Sequence, residues 1–270
     1  MPELGNPGAC SSSLDRDFNA PAIELIGVSK SYDRGPEVIA ASDLKIAQGE
    51  FVSLIGPSGC GKSTLLKLIA GLTRPTKGSI RVDGMTPENA RETISFLFQD
   101  ATLLPWRTVR ENVGLGLELE GVAGDRRRKT TALLLSLVGL EHVSGSYPRE
   151  LSGGMKMRVS IARALATNPR LLLMDEPFAA LDEMARERLN EELLRLRAEQ
   201  NWTAVFVTHS VAEAVFLSTR VVILAANPGR IHDVVAVGLG FPRTQQVRAS
   251  SEFEVLTREV SHRLREAQTA

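Results

Sequence analysis

The sequence lacks several features that would point directly to other classes of protein. It has only two cysteines, Cys10 and Cys60, which are far apart and predict neither a disulfide framework nor a cysteine metal site. Basic and acidic residues number 32 each, so no excess of positive charge favours nucleic acid. The longest uncharged apolar runs, such as residues 133–140 and 221–226, are far shorter than the about 20 residues of a membrane span. We therefore expect a cytoplasmic protein that reaches a membrane only through a partner.

The two ends of the chain differ from its middle. Residues 1–20 are rich in Gly, Ser, Pro and acidic residues and have no apolar stretch like that of a secretion signal, which predicts a flexible tail. Residues 21–240 hold nearly all the predicted strands and helices. Over residues 241–270, apolar residues at helical spacing predict an amphipathic C-terminal helix that caps the core.

Short apolar runs rich in β-branched residues predict an α/β fold. They cover residues 23–28, 51–55, 80–82, 94–98, 171–174, 204–208 and 221–224. Some are almost wholly apolar, as is typical of parallel strands buried on both faces of a sheet. Strand signals vanish between about residues 100 and 166, where leucines recur on helical segments. This stretch is predicted to be a helical subdomain inserted into the α/β core.

A glycine-rich loop follows the second predicted strand directly and leads into a predicted helix over residues 62–70. It matches G-x-x-x-x-G-K-[ST], in which successive backbone N–H groups surround phosphate oxygens. A plain glycine-rich turn is the alternative, but the strand–loop–helix context favours binding of a nucleoside triphosphate with Mg²⁺. The loop alone does not separate kinases, GTPases, helicases and transport ATPases. The absence of an Asn-Lys-x-Asp motif argues against a GTPase and therefore favours ATP. Lys62 would reach the β- and γ-phosphates, and the Ser63 hydroxyl would ligate Mg²⁺. The residues assigned to the nucleotide here are Gly56, Pro57, Ser58, Gly59, Cys60, Gly61, Lys62, Ser63 and Thr64.

Cys60 lies inside this loop, between two glycines and close to Lys62 in sequence. A cationic position at a helix N-terminus can lower the pKa of a thiol and make it reactive. We therefore expect alkylation of Cys60 to inactivate the protein, and bound ATP to protect it.

Residues 151–155 read Leu-Ser-Gly-Gly-Met and precede a predicted helix. The run resembles the Leu-Ser-Gly-Gly-Gln signature of the ATP-binding cassette (ABC) ATPases, with Met155 in place of Gln. Serine and two glycines at a helix N-terminus form an anion site, although Ser152 could equally be a plain helix cap. Asp175 and Glu176, at the end of a buried strand, look like the Walker B motif of that family. Asp175 would hold Mg²⁺ through water and Glu176 would be the general base, unless the two carboxylates merely cap the next helix.

The resemblance implies that residues 21–240 form the ABC ATPase domain, a P-loop core with a mixed or parallel β-sheet, an antiparallel β part and the helical insertion. Other motifs of the family follow in order, and the resemblance implies their roles. Gln99 is similar to the Q-loop glutamine, which touches Mg²⁺ and relays to a partner. His209 is similar to the switch histidine that contacts the γ-phosphate, and Asp182 to the D-loop aspartate along the dimer interface. Tyr32 is similar to the aromatic residue that stacks on adenine, with an exposed surface tyrosine as the alternative.

The resemblance also implies a second ATPase subunit. In the family, the signature loop completes the nucleotide site of the opposite subunit, and two ATP molecules are sandwiched in a head-to-tail dimer. By this resemblance the segment that faces the partner's nucleotide would consist of Ser152, Gly153 and Gly154.

Residues 103–113 resemble the ATPases of bacterial importers for nitrate, sulfonates, taurine and related small solutes. The resemblance implies a subunit peripheral to the cytoplasmic face of the membrane, which energises import through ATP-driven dimerisation. It would contact the coupling helix of a permease near residues 99–107, and a solute-binding protein only indirectly. Trp106 lies in this contact region, or else packs within the helical insertion. The alternative function is a soluble ABC ATPase acting on nucleic acid or the ribosome; the neutral net charge weighs against it, and we expect no nucleic-acid partner.

Overall fold

The computed structural model describes residues 21–32 and 35–269; the tail expected over residues 1–20 lies outside them. Every strand that the apolar runs predict is found, and the α/β fold class is confirmed. The strands are β1 (Ile23–Ser31), β2 (Glu37–Ile46), β3 (Phe51–Ile55), β4 (Lys77–Val82), β5 (Ile94–Leu97), β6 (Leu171–Asp175), β7 (Thr203–Val207), β8 (Arg220–Ala225) and β9 (Arg230–Ala236).

Helices account for most of the remaining regular structure. Between β5 and β6 the described chain contains helices and short 3₁₀ turns but no strand, where the sequence predicted a helical insertion. The α-helices are α1 (Lys62–Ile69), α2 (Val109–Val113), α3 (Leu115–Leu119), α4 (Gly124–Leu137), α5 (Gly153–Ala166), α6 (Glu183–Gln200), α7 (Val211–Leu217), α8 (Gln245–Arg248) and α9 (Ser251–Thr269). None of the helices within the described ranges is long and apolar enough to cross a bilayer.

The larger sheet has six strands in the order β5-β6-β7-β3-β8-β9. Its first five strands are parallel, and β9 pairs antiparallel with β8 at the edge. All residues of β3, β6 and β7 are buried, because helices cover both faces of the sheet. Since parallel strands end at the same edge, the loops after β3, β5, β6 and β7 emerge side by side. This edge is where an open α/β sheet binds its ligands.

The sheet divides the core into two clusters. Successive side chains of β3 point to opposite faces, so Phe51 and Ile55 join one cluster while Val52 and Leu54 join the other. The first cluster includes apolar residues of α5, α6, α7 and α9, and the second includes those of α1. The strand that carries the phosphate loop is therefore fixed from both sides.

The sequence did not predict two of the strands, β2 and β9. β2 joins β1 and β4 in a second, antiparallel sheet of order β2-β1-β4. Its Ser42, Leu44 and Ile46 are buried and alternate with exposed Asp43 and Lys45, so the strand has a period of two and forms no continuous apolar run. β9 is an edge strand with only one buried residue, so its sequence carries little apolar signal.

The C-terminal helix begins at Ser251, later than the predicted residue 241. The preceding turn is held by Arg243, whose buried guanidinium donates hydrogen bonds to the carbonyl oxygens of Val215, Phe216, Ser218 and Leu239. Burial lowers the pKa of Arg243 to about 10, which still leaves the side chain charged at neutral pH. The helix itself packs on the core through Phe253, Val260 and Ala267, at the heptad spacing expected of one apolar face.

Candidate active site

The loop between β3 and α1 has the backbone that a phosphate-binding loop requires. Gly61 has φ +89°, and a Cβ there would lie 2.2 Å from the Ile39 side chain. At Gly56 a Cβ would lie 2.7 Å from the carbonyl oxygen of Leu224. Neither position accepts a side chain without displacing its neighbours. The glycines are therefore needed for the shape of the loop.

Lys62 begins α1, and only 5% of it is exposed. Its Nζ donates hydrogen bonds to the carbonyl oxygens of Gly56 and Pro57, both at 2.9 Å. No carboxylate in the described part of the chain forms an ion pair with it. A buried cation whose acceptors are the neutral carbonyls and the Cys60 sulfur is suited to an anionic ligand, because uncompensated buried charge is unfavourable. The loop therefore offers its one buried positive charge to an anion.

Ser63 and Asp175 bring two oxygen atoms together beside the loop. The Ser63 hydroxyl donates to Oδ1 of Asp175 at 3.0 Å, which joins α1 to the end of β6. Burial raises the pKa of the Asp175 carboxyl, and the Ser63 hydrogen bond partly opposes this rise. Among the described residues no group of three or more His, Cys, Asp and Glu could hold a metal ion unaided. A hydroxyl and one carboxylate fit Mg²⁺, which takes few protein oxygens and completes its shell with phosphate oxygens and water.

Glu176 and His209 meet from the ends of adjacent strands. Oε1 of Glu176 lies 2.7 Å from Nε2 of His209. Glu176 has φ +49°, and its backbone N–H donates to the Val207 carbonyl oxygen at 3.0 Å. A left-handed conformation at a residue other than glycine is strained, and such strain is concentrated at functional sites. The Glu176 carboxylate, which can accept a proton, is therefore fixed directly beside Asp175.

Gln99 is exposed just beyond β5, the strand next to β6. It thus lies at the same edge of the sheet as Asp175, although no hydrogen bond joins it to the residues above within the described chain. Tyr32 is exposed just after β1, and Nζ of Lys30 lies 4.7 Å from the centre of its ring. One face of the ring therefore already contacts a cation.

Ser152 and Asp182 each act as a helix cap. The Ser152 hydroxyl accepts from the Met155 N–H at 3.2 Å and starts α5, with Gly153 and Gly154 in the first turn. Asp182 accepts from the Ala185 N–H at 2.9 Å and starts α6. Neither side chain is hydrogen-bonded to the phosphate loop in the described chain. The capping role that was left open for Ser152 is therefore what this chain alone displays.

The expected lowering of the Cys60 pKa is wrong. Cys60 is fully buried, and desolvation raises the pKa of its thiol. The Lys62 ammonium, 3.9 Å away, favours the thiolate, but burial has the larger effect. Because the thiolate is the reactive form, alkylation is expected to be slow. Loss of activity on alkylation, and protection by ATP, stay predictions.

A cavity of about 160 Å³ adjoins the Glu176–His209 pair and involves residues that the sequence analysis missed. Arg186, Thr208 and Glu213 line it together with both members of the pair. Glu213 carried a usable signal, because it is a single carboxylate in the otherwise apolar helix α7. A charge in such a helix is either exposed or paired, and here it is buried.

Trp106 does not pack within the helical insertion, since 70% of it is exposed. The loop that carries it is fixed by the buried Asn112. Its amide oxygen accepts from the Leu104 N–H, and its amide nitrogen donates to the carbonyl oxygens of Leu104, Arg107 and Thr108. A groove of about 390 Å³ adjoins Trp106, with Arg107, Arg110, Arg127 and Arg128 among its lining residues. The insertion thus presents an exposed indole beside a groove of mixed charge, in which Arg107 is paired with Glu118 and Arg128 with Asp125.

Comparisons with known proteins identify the family of this chain. A family model described as ABC transporter matches residues 39–179. An uncharacterised ABC transporter ATP-binding protein of Methanocaldococcus jannaschii is 44% identical over 88% of this chain and 89% of its own. An aliphatic sulfonates import ATP-binding protein of Bacillus cereus is 42% identical over 88% and 94%. A nitrate import ATP-binding protein of Synechocystis is 44% identical over 84% and 88%.

Solved structures show the same fold. One is the dimeric structure of an ATP-binding cassette in a post-hydrolysis state, bound to ADP and Pi. It is 36% identical to this chain, superposes with a TM-score of 0.75, and matches 81% of this chain and 100% of its own.

Proposed function

Because the chain belongs to the ABC transporter family, we propose that it binds and hydrolyses ATP to energise an importer of small solutes such as nitrate, sulfonates or taurine. The observation that carries this proposal is the convergence of Lys62, the Ser63–Asp175 pair and the Glu176–His209 pair at one edge of the parallel sheet. Relatives named as sulfonate and nitrate import proteins support the importer assignment.

Each site residue has a proposed role in hydrolysis. The loop of residues 56–64, through the backbone N–H groups of all its residues except Pro57, and the Lys62 ammonium bind the phosphates. Glu176 accepts a proton from the attacking water as the water oxygen bonds to the γ-phosphorus and the bond to ADP breaks. His209 holds the Glu176 carboxylate and contacts the γ-phosphate. Tyr32 stacks on adenine with the ring face that Lys30 leaves free.

Ser63, Asp175 and Gln99 are the residues that would hold Mg²⁺ beside the phosphates. When bound there, the ion neutralises charge on the phosphate oxygens. The oxygen donors of these side chains suit a hard cation, and the Ser63–Asp175 contact already places two of them together.

A second ATPase subunit would complete the site. In this arrangement Ser152, Gly153 and Gly154 at the start of α5 face the nucleotide of the partner, with Asp182 nearby at the subunit interface. A helix N-terminus with free N–H groups is suited to a phosphate, which supports this role. ATP binding would therefore draw two subunits together, and hydrolysis would release them.

The surface around Trp106 is the proposed contact with the permease. An exposed tryptophan on a loop held by a buried asparagine is pre-organised for binding, and tryptophan is enriched among residues that dominate interface energies. The protein would thereby sit at the cytoplasmic face of the membrane without entering it, and a solute-binding protein would act on it only through the permease.

Trp106→Ala tests the proposed function. The variant is expected to hydrolyse ATP alone at the wild-type rate. Its affinity for the permease should fall by about thirtyfold or more, and stimulation by the permease with it, since such anchors contribute at least about 2 kcal/mol. The measurement is ATP turnover of the tagged chain, alone and with its co-purified permease, in detergent or nanodiscs. Leu133→Ala removes another exposed side chain of the insertion and serves as the control. Equal stimulation of both variants would contradict the contact, and stimulation by nucleic acid instead would favour the alternative function.

A further inference from the structure

Glu213 is a buried carboxylate that the proposed chemistry does not use. Only 6% of it is exposed, and it lies on α7 one turn after His209. Its Oε2 accepts from the Thr208 hydroxyl at 2.5 Å, and its Oε1 lies 3.3 Å from Nε of Arg186. A buried carboxylate without partners would be strongly unfavourable, so the contacts with Thr208 and Arg186 are what allow Glu213 to be buried here.

The Thr208 hydroxyl ties this carboxylate to both neighbours of His209. It donates to Glu213 and accepts from the backbone N–H of Ser210 at 3.0 Å. The Ser210 hydroxyl in turn accepts from the Glu213 N–H at 3.3 Å. Thr208, Ser210 and Glu213 therefore form a closed ring of hydrogen bonds that holds the chain on both sides of His209. The imidazole itself is half-exposed, so its position depends on this backbone.

Arg186 connects the ring to a different part of the chain. Its Nη2 donates to the Leu181 carbonyl oxygen at 3.1 Å, just before the Asp182 cap of α6. Its Nη1 lies 3.2 Å from the Glu183 carboxylate. One guanidinium thus contacts the loop before α6 on one side and α7 on the other. Its Nη1 and Nη2 donate hydrogen bonds on the α6 side, whereas its contact with Glu213 is an ion pair without a hydrogen bond from Nε.

We propose that Arg186 and Glu213 form a positioning bridge that fixes His209, and through it the Glu176 carboxylate, relative to the loop at residues 181–182. The inference rests on the proposed roles of Glu176 and His209. The cavity of about 160 Å³ lies beside the bridge and is lined by both catalytic candidates. It leaves room for His209 to shift when the bridge is lost. Neither Arg186 nor Glu213 touches the phosphate loop, so the bridge governs turnover and not nucleotide affinity.

Glu213→Gln is the main test. Glutamine keeps the shape and can still accept from Thr208, but it replaces the charge that faces Arg186. We expect kcat to fall by about tenfold to a hundredfold, because small displacements of catalytic groups have effects of this size. KM for ATP should stay within about twofold of the wild-type value, since the phosphate loop and the Ser63–Asp175 pair, which the proposal makes the main binding groups, are untouched. Arg186→Gln should behave alike, and the double variant should be no worse than the poorer single one, since both remove one bridge.

Arg195→Gln is the matched control, because it removes an arginine of the same helix whose ion pairs with Glu192 and Glu199 are at the surface. It should retain wild-type kcat. Melting temperatures measured on all variants separate loss of fold from loss of rate. If a single variant does not fold because it leaves a buried charge unpaired, the double variant and Thr208→Val carry the test, with the same loss of kcat expected.

Two results would overturn the bridge. One is that Glu213→Gln and Arg186→Gln lower the melting temperature but leave kcat per folded molecule unchanged. The other is that the losses in kcat of the two single variants multiply in the double variant. Glu176→Gln, assayed in parallel, keeps the two proposals apart. An inactive Glu176→Gln beside a fully active Glu213→Gln refutes the bridge alone, whereas an active Glu176→Gln refutes the proposed site.

Discussion

Glu176→Gln is expected to lose turnover by a factor of about 10² to 10⁴ while it still binds ATP, which is the usual contribution of a general base. The amide has the shape of the carboxylate, and its oxygen can still face Nε2 of His209, which lies 2.7 Å from Oε1 in the native pair. It cannot accept a proton from water. The phosphate loop and the Ser63–Asp175 pair are unchanged, so the affinity for ATP should stay near the wild-type value.

The measurement is phosphate release at saturating Mg²⁺ and ATP, together with equilibrium binding of ATP to the same preparation. Glu254→Gln, which replaces an exposed carboxylate on α9, is the control and should hydrolyse ATP normally. Turnover by Glu176→Gln at the control rate would show that another group is the base.

Lys62→Ala is expected to weaken ATP binding by about tenfold to a hundredfold, the equivalent of the 1.5–3 kcal/mol typical of a hydrogen bond to a charged group. The native ammonium is almost wholly buried and is held by the carbonyl oxygens of Gly56 and Pro57. Its removal deletes the positive charge of the loop and leaves the glycine backbone in place. Lys62→Ala should therefore lower the affinity for ATP itself, whereas Glu176→Gln should lower only the rate of hydrolysis.

Titration calorimetry with ATP on both proteins gives the ratio of affinities. Lys77→Ala removes an exposed lysine of β4, in the other sheet, and should bind ATP as the wild type does. Full affinity of Lys62→Ala would contradict the assignment of residues 56–64 to the phosphates.

The parts of the fold that the sequence predicts are those with dense local signals. The phosphate loop is encoded in eight consecutive residues between a buried strand and a helix, so both its place and its shape follow from the sequence. β6 and β7 are continuous apolar runs and were found for the same reason. β2 alternates buried and exposed residues, and β9 is a largely exposed edge strand, so neither forms such a run.

In the candidate site, too, the features that the sequence does not reveal are those that depend on tertiary packing. Glu176 and His209 lie 33 positions apart in sequence, and only the adjacency of β6 and β7 in the sheet makes them partners. The Arg186–Glu213 pair also depends on how α6 packs against α7, which local sequence does not reveal. For Cys60, the sequence shows the nearby lysine but not the burial, and burial has the larger effect on the thiol pKa. Whether Trp106 was exposed likewise depended on tertiary packing.

The mass of the Glu176→Gln chain in solution tests most directly the claim that the nucleotide site is shared by two subunits. Light scattering in saturating Mg²⁺ and ATP should give a dimer, because the nucleotide persists and the α5 N-terminus of one copy closes the site of the other. Without nucleotide, and in ADP, the same protein should have the mass of one 29.3 kDa chain. A particle that binds ATP at saturation and still has the mass of a single chain would contradict the account.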